Sequence, residues 1–369
     1  ACNGNGLCFN YEDSSPMCPS LRVSQDRRHS PKGRAMLVRE WLRLLAASGT
    51  DVLALEQQAL AGRTSLRDWV QRLRNSRKAA QGEYDFSHEV MESMKGCLAC
   101  KACSSQCPIK VDVPNFRARF MNLYYQRYLR APRDYLVANI EQALPLMAQL
   151  PATLNFFLKQ GWVQKLTAAT TGFVDPPLLS VPTLKARLKG DAALGYDMAA
   201  LKALPAAERA RFVLVVQDPF TSYYDAPVVA DFVQLITALG CQPVLLPFKP
   251  NGKPEHVKGF LKAFNATARS SGAFLAELAA LGIPLVGLDP AMVLCYRDEY
   301  REVAGSRADE FEVLLSHERL LSMLGQVPPA PTRTTATLRL LGHCTEKTAL
   351  AASMDEWKKI FAHFGAPLE

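Results

Sequence analysis

Long apolar runs are absent from this 369-residue chain. The two best candidates, residues 235–248 and 283–296, are interrupted by Gly, Pro or Asp. A helix that crosses a bilayer needs about 20 consecutive apolar residues. The first residues also lack the basic start and the apolar segment of a secretory signal. We therefore expect a chain that is not transmembrane and that lies in the cytoplasm, either free or peripheral to a membrane.

Acidic residues are scarce between residues 22 and 43: this stretch contains seven Lys or Arg but only two acidic residues, Asp26 and Glu40. The whole chain carries a formal net charge of +8. Such a stretch is typical of contact with nucleic acid, a membrane surface or an acidic partner, and it also balances bound anionic clusters. A solvated face is the simplest alternative. Because no aromatic residue lies between Arg22 and Arg39, stacking on nucleic acid is disfavoured and we expect no nucleic-acid partner.

The ten cysteines are unevenly distributed: seven fall in two groups near the start and three are scattered. In a chain without a secretory signal, this pattern favours metal binding over disulfides. The dense group reads Cys97-x2-Cys100-x2-Cys103-x3-Cys107, followed by proline, and we call its first three members the loop cysteines. This is the bacterial ferredoxin spacing, which predicts a [4Fe–4S] cluster. A four-cysteine zinc site normally separates two C-x2-C pairs by a longer stretch.

The first cysteine group is looser, with Cys2-x5-Cys8 and then Cys18, which is also followed by proline. In ferredoxins with two clusters, the fourth cysteine of the run ligates the other cluster. This crossover predicts Cys18 with the loop cysteines on one cluster, and Cys107 with Cys2 and Cys8 on a second. The second cluster then lacks one ligand, for which His29, an upstream residue or no residue at all stay open. A single cluster held locally by the loop cysteines and Cys107 is the alternative.

The residues around the dense cysteine run fit electron transfer rather than catalysis. Lys101 and Lys110 are placed to balance the negative charge of a thiolate-ligated cluster. Small neighbours let backbone N–H groups approach the sulfurs, which raises the reduction potential. No acid–base pair or nucleophile lies near the run, so we predict no catalytic residue in this chain.

Three regions of the chain differ in their sequence patterns. Residues 1–134 predict a helical, two-cluster ferredoxin-like domain, with helices over 33–47 and 65–78. Residues 135–205, interrupted by prolines, predict a helical connector. In residues 206–369, predicted strands at 212–216, 243–246 and 283–288 alternate with helices such as 226–239. This alternation indicates a parallel sheet. The fold class expected is therefore mostly α with an α/β part.

Several smaller features carry expectations of their own. An aromatic stripe on the helix after Pro114 consists of Phe116, Phe120, Tyr124 and Tyr128, and we expect it to pack against the cysteine loop. The apolar residues 154–166 predict a buried helix, with contact to a membrane or a partner helix as the alternative. The turn at residues 248–254 favours a plain surface loop. A strand at 336–341 and a helix at 353–364 suggest a weak internal repeat whose second half is truncated.

The scattered cysteines are weaker candidates for a metal site. Cys241 fits a small core residue. Cys295 and Cys344 each follow a predicted strand, where α/β folds place ligands. We keep Cys295, Cys344 and His29 as secondary metal-ligand candidates.

Eight segments of the chain carry a family resemblance. They are Cys2-Asn-Gly-Asn-Gly-Leu-Cys8, Met17-Cys18-Pro19-Ser20, His29-Ser30-Pro31-Lys32-Gly33-Arg34-Ala35, and residues 96–108, 217–225, 247–253, 289–300 and 342–348. Together they resemble the iron–sulfur part of large FAD-linked dehydrogenases. The resemblance covers essentially the whole chain, and it is closest to the bacterial FAD- and iron–sulfur-containing D-2-hydroxyglutarate dehydrogenases. D-lactate dehydrogenases and the glycolate oxidase iron–sulfur subunit are more distant.

The resemblance implies a longer polypeptide, and the chain ends fit this, since the chain starts without Met and stops at Glu369. An upstream FAD domain would oxidise the 2-hydroxy acid. The chain would pass electrons through one or two [4Fe–4S] clusters to an external acceptor, either a quinone or an electron-transfer protein. The α/β region resembles the Cys-Cys-Gly domain of heterodisulfide reductase-type subunits. However, its first half has residues 248–253 where that element would fall, and the chain stops before the second element. A homo-oligomer stays open.

Two alternatives belong to other classes. One is a separate iron–sulfur subunit of a heterodisulfide-reductase-like or glycolate-oxidase-like complex, with FAD on another chain. The more remote one is a zinc-stabilised protein that binds nucleic acid.

Overall fold

The computed structural model describes residues 3–9, 12, 15, 17–62, 65–190, 194–331, 334, 336 and 338–368. The chain divides into two compact units. The first, which we call the helical unit, consists of Ala1–Ala138, Pro254–Phe264 and Lys347–Ala351. The second, the sheet unit, consists of Asn139–Lys253, Asn265–Glu346 and Ala352–Glu369.

Helices make up most of the regular structure in the described part of the chain. The α-helices are α1 (Pro19–Ser24), α2 (Pro31–Ala47), α3 (Val52–Ala61), α4 (Leu66–Ala80), α5 (Phe86–Lys95), α6 (Ala102–Gln106), α7 (Val113–Arg127), α8 (Pro132–Ala138), α9 (Ile140–Met147), α10 (Pro151–Leu158), α11 (Gly161–Thr171), α12 (Leu184–Arg187), α13 (Met198–Ala203), α14 (Ala206–Arg209), α15 (Pro219–Tyr223), α16 (Ala226–Ala238), α17 (Lys253–Val257), α18 (Leu261–Ala279), α19 (Pro290–Arg297), α20 (Ser316–Met323), α21 (Cys344–Ala349) and α22 (Ser353–His363). The strands are β1 (Leu194–Gly195), β2 (Phe212–Val216), β3 (Gln242–Leu245), β4 (Leu285–Gly287) and β5 (Val313–Leu315), and short 3-10 turns lie at Leu7–Phe9, Arg27–His29, Glu299–Glu302 and Leu324–Gln326.

Helix α2 begins where the sequence carries two start features. The Ser30 side chain accepts a hydrogen bond from the Gly33 amide at 2.9 Å, and Pro31 occupies the first helical position. A serine cap followed by proline is a favoured helix start because the serine oxygen satisfies one of the free backbone donors and proline has no N–H to satisfy. Helix α2 then packs against α5 and α7.

The core of the helical unit joins the aromatic stripe to the cysteine region. The Trp41 ring meets Phe120 edge to face, with the centroids 4.9 Å apart. The same buried cluster contains Leu21, Cys18 and Cys103. The stripe on α7 therefore belongs to the apolar core that supports the cysteines, as the sequence predicts.

A later segment completes the helical unit. The Arg130 guanidinium donates to the carbonyls of Lys258 and Gly259 at 2.6 and 2.7 Å. Gly259 has a φ of +68°, and a Cβ at that position would lie 2.7 Å from Met121 Cβ. Glycine is therefore required where this segment crosses α7.

The sheet unit is built on a parallel sheet of order β1-β3-β2-β4-β5. In the central strand β2, Val213, Leu214 and Val215 are fully buried, as expected for a parallel strand covered on both faces. Leu214 is in register with Val244 of β3 and Leu285 of β4. The expectation of a helical part combined with a parallel-sheet part is confirmed.

Of three further sequence expectations in the sheet unit, two need correction and one is confirmed. Among the described residues of 336–341, only Leu338 pairs, in a single parallel bridge to Leu368, so the predicted strand is reduced to a bridge. The helix at 353–364 is confirmed as α22. The segment 154–166 is not one buried helix: it forms α10 and α11, on which Phe156 and Trp162 are 61% and 64% exposed.

Within the part of the chain that the structure describes, no helix has both the length and the apolar character to cross a membrane.

Candidate metal centre

Four cysteine side chains from two separate stretches of the helical unit line one pocket. We call it the thiol pocket, and it is lined by Cys18, Pro19, Ser20, Pro31, Arg34, Cys97, Leu98, Cys100, Lys101, Ala102, Cys103, Val113 and Pro114. The lining combines a four-thiol donor set with small and apolar neighbours. Four cysteine thiolates are the usual ligand set of a [4Fe–4S] cluster, so the residues fit that group.

Cys18 enters the pocket from the start of α1. It is the residue before the helix, with a left-handed φ of 41°, and Pro19 follows at the first helical position. Its buried thiol donates to the His29 carbonyl at 3.4 Å. The turn that aims Cys18 inward is therefore fixed by the helix start and by the 3-10 turn that follows it.

The loop cysteines reach the pocket through unusual backbone geometry. Cys97 comes directly after Gly96, which ends α5, and Cys103 lies in α6. Between them, Ala99 and Lys101 have φ values of 54° and 59°. Left-handed backbone at residues other than glycine costs on the order of 1–3 kcal/mol each and concentrates at ligand sites. These two turns lie between the three loop cysteines, all of which line the thiol pocket.

Burial dominates the electrostatics of Cys103. It raises the pKa of this thiol to about 12, with the neighbouring Cys97, Cys100 and Asp112 charges acting in the same direction and a backbone hydrogen bond from Val113 opposing it. A metal that binds here must displace the thiol proton, because the thiolate is the ligand.

Cationic side chains surround the thiols. Arg34 is 1% exposed, and its Nη1 donates to Cys18 Sγ at 3.6 Å. The buried Lys101 pairs with Asp112, with 3.6 Å between Nζ and Oδ2. The Thr348 hydroxyl donates to the Cys100 carbonyl at 3.2 Å, which fixes the middle of the loop.

The remaining cysteine-group candidates lie elsewhere. Cys107 ends α6 and Cys8 lies in the first 3-10 turn; both are half-buried against the same apolar core but do not line the thiol pocket. Cys2 lies outside the described residues. His29 reaches Cys18 through its backbone carbonyl, and its ring is not part of the pocket lining. The pocket lining thus includes Cys18 and does not include Cys107, and the crossover stays a prediction.

Among the described residues, no group of three or more His, Cys, Asp or Glu side chains lies close enough together to hold a metal ion.

The secondary candidates in the sheet unit are separate from the thiols. Cys295 is fully buried within α19, and Cys344 is exposed at the start of α21. Cys241 is buried in the core of the sheet unit, as predicted.

Residues 251–254 of the loop after β3 are buried, whereas Lys249 is exposed. The expectation of a plain surface loop at 248–254 is therefore wrong for its second half. The amides of Asn251 and Gly252 donate to the Glu141 carboxylate at 3.0 and 2.7 Å. Lys253 forms a buried ion pair with Glu299. These partners lie more than 40 residues away in sequence, which is why local pattern alone gives no indication of the burial.

Asp218 lies at the end of β2 and caps α15. Its carboxylate accepts from the amides of Phe220 and Thr221, both at 2.8 Å. Burial raises its pKa to about 6, partly opposed by the Thr221 hydrogen bonds and reinforced by the charge of Asp289.

Sequence reasoning missed Arg34 as a site residue. Its Nε donates to the Ser93 carbonyl at 2.9 Å and its Nη2 to Ser20 Oγ at 2.7 Å. The sequence feature that could have pointed to Arg34 is the Gly33-Arg34 pair in the first turn after the Ser30 cap. A Cβ at Gly33 would lie 2.1 Å from the Arg27 carbonyl oxygen, so this close approach sets the position of the next residue, Arg34.

Comparison with known proteins gives relatives over the full length of the chain. It is 58% identical to D-2-hydroxyglutarate dehydrogenase of Escherichia coli (strain K12) over 368 residues, which is 100% of this chain and 36% of the relative. It is 55% identical to the protein of that name from Pantoea ananatis (strain AJ13355), with the same coverage of both chains. No family model matches the chain, and no solved structure matches it.

A more distant relative has the same name. The D-2-hydroxyglutarate dehydrogenase of Pseudomonas putida (strain KT2440) is 45% identical, again over 100% of this chain and 36% of the relative. The chain therefore spans about a third of the length of the curated relatives it matches. It is similar along its whole length to part of the D-2-hydroxyglutarate dehydrogenases, which are oxidoreductases.

Proposed function

We propose that this chain is the electron-transfer portion of an FAD-dependent D-2-hydroxy-acid dehydrogenase, with D-2-hydroxyglutarate as the substrate. The observation that carries the proposal is the thiol pocket, which Cys18 and the loop cysteines line together although almost 80 residues separate the two stretches. The names of the relatives support the substrate.

Cys18 and the loop cysteines would hold one [4Fe–4S] cluster. Cys107, Cys8 and Cys2 would belong to a second one. A bound cluster supplies one-electron storage and transfer. The chain itself keeps the ligands in a mostly apolar pocket, balances their negative charge with buried cations and limits access of water, all of which tune the reduction potential.

In this proposal, an FAD bound in a part of the polypeptide outside this chain would supply the oxidation of the substrate. The cluster that Cys18 and the loop cysteines would hold would supply one-electron transfer from the flavin to a quinone or an electron-transfer protein. This division assigns the chemistry on the substrate to the FAD domain and electron transfer to the cysteine region.

We also propose peripheral contact with an anionic membrane surface through α10 and α11. Phe156, Trp162 and Leu166 are more than half exposed on these helices, and Lys159 and Lys165 are exposed beside them. No acidic residue lies between Glu141 and Asp175. Exposed aromatic and leucine side chains flanked by lysines are typical of helices that lie in the membrane interface.

The function is tested with the full-length protein, purified anaerobically and loaded with FAD. Addition of D-2-hydroxyglutarate should reduce the flavin and then produce the EPR signal of a reduced iron–sulfur cluster. D-lactate and glycolate serve as matched substrates and should act more slowly. Flavin reduction without any cluster signal would contradict the electron-transfer role, and faster reduction by D-lactate or glycolate would contradict the substrate.

A further inference from the structure

Arg34 is a buried cation whose surroundings in the helical unit contain little compensating charge. Its three donor groups contact the Ser93 carbonyl, the Ser20 hydroxyl and the Cys18 thiol. Among the residues that the structure describes, no carboxylate forms an ion pair with it. Burying a guanidinium without a nearby negative charge is costly. The group that would compensate it is the negative charge of ligating thiolates in the pocket it lines.

Arg34 lies beside one particular cysteine of the thiol pocket. It donates to Cys18, the single pocket cysteine that lies outside the dense run, and its Nη2 is held by Ser20, two residues further along. Ser93, on α5, holds its Nε from the other side. Two fixed hydrogen bonds therefore leave Nη1 directed at the Cys18 sulfur with little rotamer freedom.

We propose that Arg34 is a positioning residue that raises the reduction potential of the cluster held by Cys18 and the loop cysteines. This inference rests on the proposed function. Reduction adds one negative charge to the site, so a fixed positive charge in a low-dielectric pocket stabilises the reduced form more than the oxidised form. An N–H···S hydrogen bond acts in the same direction.

A purely structural role makes a different prediction. Arg34 also connects α1, α2 and α5 through its hydrogen bonds, and this alone would make its removal destabilising. It would leave the potential of any assembled cluster unchanged. The reduction potential therefore distinguishes the two roles, and stability does not.

The test is an EPR-monitored redox titration of the full-length protein with Arg34→Gln and Arg34→Lys. The glutamine variant should lower the one-electron reduction equilibrium constant at least tenfold, which corresponds to a fall of about 59 mV. The lysine variant keeps the charge but loses the planar donor, and its potential should fall by less. Arg130→Gln is the matched control, because Arg130 is a half-buried guanidinium in the same unit. Among the described residues, its hydrogen bonds go to the carbonyls of Lys258 and Gly259 and not to a thiol.

If the Arg34→Gln protein does not assemble the cluster, the reduction potential of the Arg34→Lys protein distinguishes the two roles. Should both variants lose it, the reduction potential of Ser20→Ala decides, because this change releases Nη2 and loosens the aim of Nη1 at the Cys18 sulfur: a lower potential supports the inference, and an unchanged one overturns it. Unchanged potentials in assembled Arg34 variants overturn this inference alone. Unsubstituted protein without iron and labile sulfide overturns the proposed function as well.

Discussion

At the scale of single residues, Cys18 separates the two ligand arrangements that the cysteine spacing allows. It lines the same pocket as the loop cysteines, whereas Cys107, the fourth cysteine of the dense run, does not. A local cluster would use Cys107, and a crossover uses Cys18. Substituting each of the two in turn therefore tests the assignment directly.

Cys18→Ser should remove the whole EPR signal of one cluster and lower the iron content, because an alkoxide or hydroxyl is a poor replacement for the thiolate at this buried position. Cys241→Ser is the matched control, since Cys241 is also buried but lies in the sheet-unit core, and it should leave the signals unchanged. Full retention of all signals in Cys18→Ser would favour local ligation with Cys107.

Asp218 gives a prediction in the sheet unit that is independent of any metal. Its pKa is about 6 in the folded chain, above its ordinary value of 3.8. Between about pH 4 and pH 6 the unfolded carboxyl loses its proton first, so the folded state binds more protons and stability falls as pH rises. The difference is at most about 3 kcal/mol, at 1.36 kcal/mol per pKa unit.

Asp218→Asn removes this ionisation while keeping an oxygen that accepts from the Phe220 and Thr221 amides. The variant should therefore gain about 2–3 kcal/mol relative to the unsubstituted protein between pH 4 and pH 7, measured as the free energy of unfolding in urea. A stability difference that is constant across this range would show that Asp218 does not titrate as described.

At the scale of elements, the first turn of α2 holds Arg34 in place. A Cβ at Gly33 would lie 2.1 Å from the Arg27 carbonyl oxygen and 2.8 Å from Arg28 Cα, and neither backbone atom can rotate away. Gly33→Ala should therefore cost about 1–3 kcal/mol, as overpacking typically does, and should lower the cluster content.

Gly161→Ala is the matched control for that change. Gly161 begins α11, and no atom lies within 4 Å of a Cβ built there. Alanine should be neutral or stabilising by up to about 1 kcal/mol, because it limits the unfolded chain without a clash. Equal effects of the two alanines on urea unfolding would contradict the steric argument.

The exposed surface of α10 and α11 predicts vesicle binding that depends on anionic lipid. Trp162→Ser should weaken co-flotation of the full-length protein with vesicles of anionic phospholipid, because Trp162 is 64% exposed between Lys159 and Lys165. Trp69→Ser is the control, as Trp69 is 49% exposed on α4 of the helical unit. Flotation that does not differ between anionic and zwitterionic vesicles would contradict membrane contact through this surface.

Elements with strong local patterns were predictable, and those defined by distant contacts were not. The Ser30 cap and Pro31 mark the start of α2, and the β-branched run of β2 marks a buried strand. By contrast, β1 and β5 have two and three residues, too short for any periodicity. The apolar content of α10 and α11 suggested burial, but composition does not reveal whether a packing partner exists.

The same limit applies to the candidate site. The ferredoxin spacing of the dense run predicts ligands from sequence alone because it reflects local geometry. The burial of Arg34 depends on Ser93, nearly 60 residues away, and the burial of Lys253 depends on Glu299. From the sequence alone, a charged side chain is expected at the surface, because its distant partners are not known.

At the scale of the whole molecule, the chain combines a helical unit that carries the thiol pocket with a parallel-sheet unit. The four pocket thiols lie in the helical unit, whereas the cysteines of the sheet unit are dispersed between its core and its surface. We therefore expect the electron path to run through the helical unit.

The most direct test of the electron-transfer function is metal analysis of the full-length protein, purified without oxygen and with its EPR spectrum recorded before and after reduction. The proposal predicts iron and acid-labile sulfide in equal amounts, and a cluster signal that appears on reduction. Zinc in place of iron, with no labile sulfide and no such signal, would contradict it.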